Sequence, residues 1–345
     1  MKVLIVASAL TLVGSCATPS HTDKLQNIKD SIVFTDANII NKYANTITSA
    51  ELNTHVYKFS SDDFQGRKTG ELGHHKASNY LKEYYIKEEV ASPLGTDNYY
   101  QNVPESYFTD GIKSSSNVIA YIKGSEYPDE VLIISAHSDH EGYTEDAIYN
   151  GADDNGSGTA ALLEMAQAFK KAELEGFGPK RSIVFLHLTG EEVDLTGSRY
   201  YTEHPVFPLH NTIANLNIDM IGRIDDSHED NPNYIYVIGS DRLSTELHYI
   251  SESANENFTK LELDYRLNSD SDPNQYYSRS DHYNFAQNGI PVIFYFSGTH
   301  DDYHEPTDTA EKINYPLLQK RTKLIFTTAW YIANNEKRIE VDQDS

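Results

Sequence analysis

Two stretches limit this chain more than anything else in it: Glu130 to Ala136 and Ser182 to Leu188 are almost all apolar. Such runs read as strands buried on both faces, the kind found in parallel sheets covered above and below by helices. Between them Asn150 to Phe169 reads N-G-A-D-D-N-G-S-G-T-A-A-L-L-E-M-A-Q-A-F. An acidic, glycine-bearing loop there runs without a polar break into an apolar helix over Thr159 to Ala168. Further strands are predicted at Tyr99 to Val103, Asn117 to Ile122, Thr212 to Ile218, Tyr234 to Ile238 and Pro291 to Phe296. Helices are predicted at Asp36 to Lys58, Ala77 to Val90, Asp241 to Phe258, Ser280 to Asn288 and Tyr315 to Ile332. The alternation gives an α/β fold: a mostly parallel, mixed central sheet flanked by helices on both faces.

Composition narrows the function. A chain of 345 residues, 39% hydrophobic, can bury a sizeable core. Its formal net charge of −24 repels phosphate backbones and argues against nucleic acid as a partner. The single cysteine, Cys16, excludes intrachain disulfides and cysteine-based zinc sites.

The strand ends carry the chemistry. His137 and Asp139 close one buried strand, Asp153 and Asp154 open the next helix, Glu191 and Glu192 follow the second buried strand, Asp219 ends another, and His304 follows the last. A lone D-x-x-S-G is most simply a helix N-cap. Several acidic and imidazole-bearing loops at successive strand ends are different, because ligands of open α/β sheets gather beyond the carboxyl ends of the strands. Imidazoles and carboxylates without thiolates suit a divalent metal such as zinc, and one carboxylate can bridge two ions.

The motifs S-A-H-S-D at 135–139, G-A-D-D-N-G-S-G at 151–158, T-G-E-E-V at 189–193, N-I-D-M-I-G at 217–222, S-D-H at 280–282 and Y-H-E-P-T-D-T at 303–309 follow in that order. Together they resemble the zinc-dependent aminopeptidase family that includes bacterial leucyl aminopeptidase and glutamate carboxypeptidase, from about Asn117 to the end of the chain. The resemblance implies two zinc ions: His137 and Asp219 complete one site, Glu192 and His304 the other, and Asp154 bridges them. It implies that Asp139 hydrogen-bonds the far nitrogen of His137, and that Glu191 is the general base for a water held between the metals. By the same spacing Tyr277 would donate its hydroxyl to the oxyanion. Asp153 is left as a loop or cap residue, while Asp281 and His282 brace their loop. Arg279 reads as a surface ion pair or as a contact to a substrate carbonyl or carboxylate. His140, His187, His282 and His300 have no counterpart in the pattern and read as structural, and His74 and His75 as solvated.

Met1 to Cys16 resembles a bacterial lipoprotein leader: a basic start, an apolar run from Val3 to Val13, and Val13-Gly14-Ser15 ahead of Cys16. The expected organisation is a leader over 1–15, a tether over 16–35 from a lipidated Cys16, one metallopeptidase domain over 36–338 and a tail over 339–345. The expected protein is exported and anchored to the bacterial cell envelope, in the outer membrane or periplasm, and removes amino-terminal residues from peptides with a free amino terminus. Three alternatives stand beside it: a zinc acyltransferase resembling glutaminyl cyclase, a carboxypeptidase of the same fold, and a binding lipoprotein without catalysis.

Overall fold

The structure is a computed structural model in which residues 20–342 are described; the leader and Cys16 lie outside the described residues. Helices α1 (His21–Ser31), α2 (Ala37–Ala44), α3 (Ser49–Phe59) and α4 (Leu72–Lys87) precede strands β1 (Tyr100–Val103), β2 (Ser115–Ile122) and β3 (Tyr127–His137). A short ribbon of β4 (Gly142–Tyr143) and β5 (Ile148–Tyr149) leads to α5 (Gly158–Leu174) and β6 (Arg181–Leu188). There follow α6 (Thr196–Glu203), β7 (Thr212–Ile218), β8 (Tyr234–Ile238), α7 (Thr245–Ala254), β9 (Glu262–Asp264), α8 (His282–Ala286), β10 (Val292–Phe296) and α9 (Tyr315–Asn334).

Eight strands form one mixed sheet in the order β1-β2-β6-β3-β7-β10-β8-β9. Its centre, β6-β3-β7-β10, is parallel throughout. The register sets His137 opposite Leu188, and Tyr295 opposite Ile218, so the carboxyl ends of these four strands finish nearly level. Both faces of the sheet are dry. Along β6, Ile183 and Phe185 join the larger core with Leu52 and Val56 of α3, Leu162 of α5 and Ile325 of α9. Val184, Leu186 and Leu188 point the other way, to Tyr201 of α6 and Phe285 of α8. That alternation is why the strand has no polar face to show in its sequence. Helix α5 is buried along most of its length, as an all-round apolar helix must be.

Three expectations need correction. The helix expected from Asp36 to Lys58 is two helices, because Thr48 is extended and its hydroxyl accepts from the Glu51 N–H at 3.1 Å, capping a new start after the β-branched Thr46-Ile47-Thr48 run. The stretch expected to be a tether contains α1, whose Ile28 packs on the core and whose Lys29 reaches Glu252 at 3.5 Å. His74, expected in solvent, is fully buried, each ring nitrogen 3.0 Å from a hydroxyl, Ser115 on one side and Ser138 on the other. Among the described residues no helix is long and apolar enough to cross a membrane.

Candidate metal centre

Every candidate ligand except Asp154 stands at or beyond the end of a parallel strand. His137 is the last residue of β3, Asp219 follows β7, Glu191 and Glu192 follow β6 after a turn at Gly190, and His304 lies on the loop after β10. Asp154 comes from the loop between β5 and α5, directly over the end of β3. Asn155 locks that loop to its neighbour: its amide donates to the Ile218 carbonyl at 2.8 Å and accepts from the N–H groups of Gly158 and Met220 at 3.0 and 3.3 Å. A β-carbon at Gly158 would come within 2.3 Å of Asn155 Oδ1 and 2.8 Å of the Ile218 carbonyl, so the close approach of helix and strand end requires glycine here.

The side chains converge. His137 Nε2 lies 3.1 Å from Asp154 Oδ1 and 3.1 Å from Asp219 Oδ1. His304 Nε2 lies 3.0 Å from Asp154 Oδ2 and 3.2 Å from Glu192 Oε2. Asp154 thus turns one oxygen to each group of donors. All five residues that the motifs single out as ligands fall into these two groups. His140 joins them as well: its Nδ1 is 2.9 Å from Glu192 Oε1 and 3.8 Å from Asp154 Oδ2. The sequence reading missed this residue, although its place directly after H-S-D was a signal. Glu141 approaches His304 Nδ1 at 3.2 Å from the solvent side.

The electrostatics are those of a site built for cations. Burial opposes charge on His137, yet Asp219, Glu191 and Asp154 outweigh it and hold the imidazole well above its ordinary pKa. Burial likewise works against a charged His304, but Asp154 and Glu192 push it up to about 10. Burial opposes ionisation of Asp154 too, and hydrogen bonds from His137 and His304 hold it well below the carboxylate range. Glu191 differs in kind: burial, reinforced by Asp219, Glu192 and Asp281, raises its pKa well above the ordinary value. The buried Asp154 and Asp219 and the half-buried Glu192, facing His137, His140 and His304 with no lysine or arginine side chain bonded to them, are a donor set that fits divalent metal.

A second layer of contacts holds the first. Arg67 is fully buried and spends its guanidinium on backbone carbonyls: Nε donates to Ser138 at 3.1 Å, Nη1 to Phe59 and Asn150 at 2.9 and 2.6 Å, and Nη2 to Gly151 and Asp154 at 2.9 and 3.4 Å. Asp308 accepts from the N–H groups of Asp153 and Asp154 at 2.9 and 3.1 Å. Ser280 donates to Asp219 Oδ2 at 2.7 Å. Asp153 accepts from the Gly222 N–H at 2.6 Å and faces His300 Nε2 at 3.2 Å, a loop tie. Arg67 could not be ranked from sequence, because it sits in a polar stretch that reads only as loop, whereas Ser280 and Asp308 lie within the S-D-H and Y-H-E-P-T-D-T motifs without a role assigned to them.

Two expected side-chain contacts are replaced by others. The Asp139 carboxylate stands 3.9 Å from His137 Nδ1, beyond hydrogen-bond reach; the nearer group is the Asp139 backbone carbonyl at 3.3 Å. Its carboxylate oxygens are taken instead by the Thr69 hydroxyl at 2.6 Å and the Glu191 N–H at 3.2 Å. Tyr277 is not brought to the ligands: its ring lies under the Arg242 guanidinium at 3.9 Å and edge-on to His282 at 5.7 Å. Successive residues of a tight turn point apart, and it is Tyr276, with Met220, Phe294, Phe296 and Tyr303, that walls a small cavity of about 30 Å³ whose floor is Asp154, Glu191 and Asp219. Asp281 and His282 are buried behind the site, and His187 is a core residue whose Nε2 meets the Tyr85 hydroxyl at 2.7 Å.

Sheet order, buried strand ends and donor set together define the α/β fold of zinc exopeptidases. The fold is shared with LapA of Legionella pneumophila, with a TM-score of 0.69 at 20% identity over 88% of this chain and 78% of that one. It is shared also with BSAP, a zinc aminopeptidase from Bacillus subtilis, with a TM-score of 0.64 at 18% identity over 86% and 98%. Residues 117–329 match the sequence profile of peptidase family M28, and the chain belongs to that family. Leupeptin-inactivating enzyme 1 of Streptomyces exfoliatus is 32% identical over 270 residues, 77% of this chain and 52% of that protein. Aminopeptidase YwaD of Bacillus subtilis is 27% identical over 235 residues, 66% and 45%. The chain spans about half the length of the curated relatives it matches.

Proposed function

We propose that this protein is a zinc-dependent aminopeptidase that binds two metal ions: His137 and Asp219 would hold one, Glu192 and His304, with His140 beside them, would hold the other, and Asp154 would serve both. The observation that carries the reading is the division of Asp154, with Oδ1 shared at 3.1 Å with His137 and Oδ2 at 3.0 Å with His304. When bound, two zinc ions supply Lewis acidity at the scissile carbonyl and make water acidic enough to attack near neutral pH.

The protein's own groups do the rest. Glu191 shares the cavity floor with Asp154 and Asp219, and its backbone is pinned by Asp139. Its carboxylate takes the proton of the attacking water and delivers it to the departing amine. Glu192 is unsuited to that task because His140 and His304 occupy both its oxygens. Burial, and then the charges of Asp154 and Glu192, keep the Tyr303 phenol protonated, so its hydroxyl is a hydrogen-bond donor at the developing oxyanion.

A screen of aminoacyl chromogenic substrates with and without a chelator, alongside elemental analysis, tests the reading. Release of free amino acids that stops on chelation is expected; ammonia release from amino-terminal glutamine without amino acid release would replace aminopeptidase by cyclase. The leader sequence supports export with a lipid on Cys16. Incorporation of labelled palmitate that persists in Cys16→Ala would remove that part.

A further inference from the structure

Eight of the nine arginines of this chain donate hydrogen bonds within it. Arg67, Arg321 and Arg338 reach carbonyls; Arg181, Arg223, Arg242 and Arg266 reach carboxylates; Arg199 reaches the Thr196 hydroxyl. Arg279 is the exception. Among the described residues its side chain meets only the face of Tyr276, 5.1 Å from the guanidinium carbon. Arg279 is exposed, so water solvates its guanidinium and leaves its N–H groups open to a ligand.

Its place is fixed by the site. The following residue, Ser280, bonds to Asp219 Oδ2 at 2.7 Å and receives the Asn217 amide at 2.8 Å. On the other side Asp272 accepts the Tyr276 N–H at 2.9 Å and holds the turn that carries the segment. Arg279 is therefore tied to a candidate metal ligand one residue away, and it lines the cavity whose floor is Asp154, Glu191 and Asp219. The remaining wall, Met220, Tyr276, Phe294, Phe296, Thr299 and Tyr303, offers no other cation. A planar fork of free N–H groups at the rim of a cavity with no other cation in its lining matches a carboxylate, which it can grip in two parallel bonds.

We propose that Arg279 determines specificity by binding a carboxylate of the substrate, either the side chain of an amino-terminal glutamate or aspartate, or the terminal carboxylate of a dipeptide. The inference rests on the aminopeptidase reading above and names the substrate class for that site. Hydrogen bonds to a charged group contribute enough for a change of about 10- to 100-fold in kcat/KM.

Four substrates separate the possibilities in the zinc-loaded enzyme: glutamyl-p-nitroanilide, leucyl-p-nitroanilide, leucyl-glycine and leucyl-glycine amide. If the side chain is gripped, Arg279→Met lowers kcat/KM for the glutamyl compound about 10- to 100-fold and leaves leucyl-p-nitroanilide within a factor of about three. If the terminal carboxylate is gripped, the same variant lowers leucyl-glycine and spares its amide. Arg279→Lys restores part of either loss, mainly through KM. Equal changes on all four, or none, overturn the role of Arg279 while leaving the aminopeptidase standing. Turnover of none of the four by the loaded wild-type enzyme overturns both.

Discussion

The Nη2 of Arg67 donates to the carbonyl of Gly151 at 2.9 Å, joining residues 84 positions apart beneath the loop that carries Asp154. The same guanidinium meets the Ser138 carbonyl at 3.1 Å, so one buried cation sets the spacing between the loop of His137 and the loop of Asp154. Burial lowers its pKa to about 10, while Asp154, Asp308, Asp139 and Glu192 work to keep it charged.

Arg67→Met leaves several buried carbonyls without donors, and should cost roughly 3 to 5 kcal/mol of stability. Arg67→Lys, whose ammonium has three donors rather than a five-donor fork, should recover only part of it. Urea unfolding of the zinc-loaded protein measures both. A midpoint for Arg67→Met equal to wild type would mean the carbonyls find other partners.

Glu191 and Asp154 should separate turnover from metal retention. Glu191→Gln keeps the shape of the side chain and removes the proton acceptor, so zinc content should stay near wild type while kcat falls by roughly 10²- to 10⁴-fold. Asp154→Asn should lose metal and activity together, because its two oxygens serve both donor groups. Elemental analysis beside single-substrate kinetics checks the pair; a Glu191→Gln enzyme with near-normal kcat would remove Glu191 from proton transfer.

His140 supplies a sharper case, being a residue the motifs left aside. Its contact with Glu192 at 2.9 Å predicts that His140→Gln weakens the metal shared by Glu192 and His304 by about 10- to 100-fold and spares the one held by His137. Competition with a chromogenic chelator should then show one weakened step of two. Two unchanged steps would return His140 to a packing role.

Acid should destabilise the fold through three histidines outside the ligand groups. Burial lowers His74, His187 and His282 to about 3. Each is neutral in the fold yet protonated in the unfolded chain below about pH 6.5, so the unfolded state binds the extra protons and stability is lost as pH falls from there toward about 3. Each group contributes up to about 1.4 kcal/mol per pH unit within that window. The urea midpoint should fall between about pH 7 and pH 5, and His187→Gln should flatten the fall by its share. A midpoint constant across that range would contradict the account.

What could be read without coordinates was whatever depends on local pattern. Strands buried on both faces show as nearly continuous apolar runs, and β3 and β6 are visible on that ground. Ligands at strand ends show because an acid or imidazole beside an apolar run is conspicuous. Other features were hidden. His74 lies at the start of a polar helix and looked solvated, yet Ser115 and Ser138 close over it. Tyr276 and Tyr277 are neighbours of one residue type, and only the turn through Gln275, at φ +52°, decides which faces the cavity.

The sequence by itself determined the main alternation of strands and helices, the acidic balance and the residue types able to hold a divalent ion, because these follow from periodicity and from the chemistry of single side chains. Only the tertiary structure decided that Asp154 divides its oxygens between His137 and His304, that His140 belongs with them, and that Arg67 sets their spacing. Those relations join residues tens to more than a hundred positions apart, and such distances are fixed by parallel register and by which loops lie over the same strand ends, neither of which any local stretch of sequence encodes.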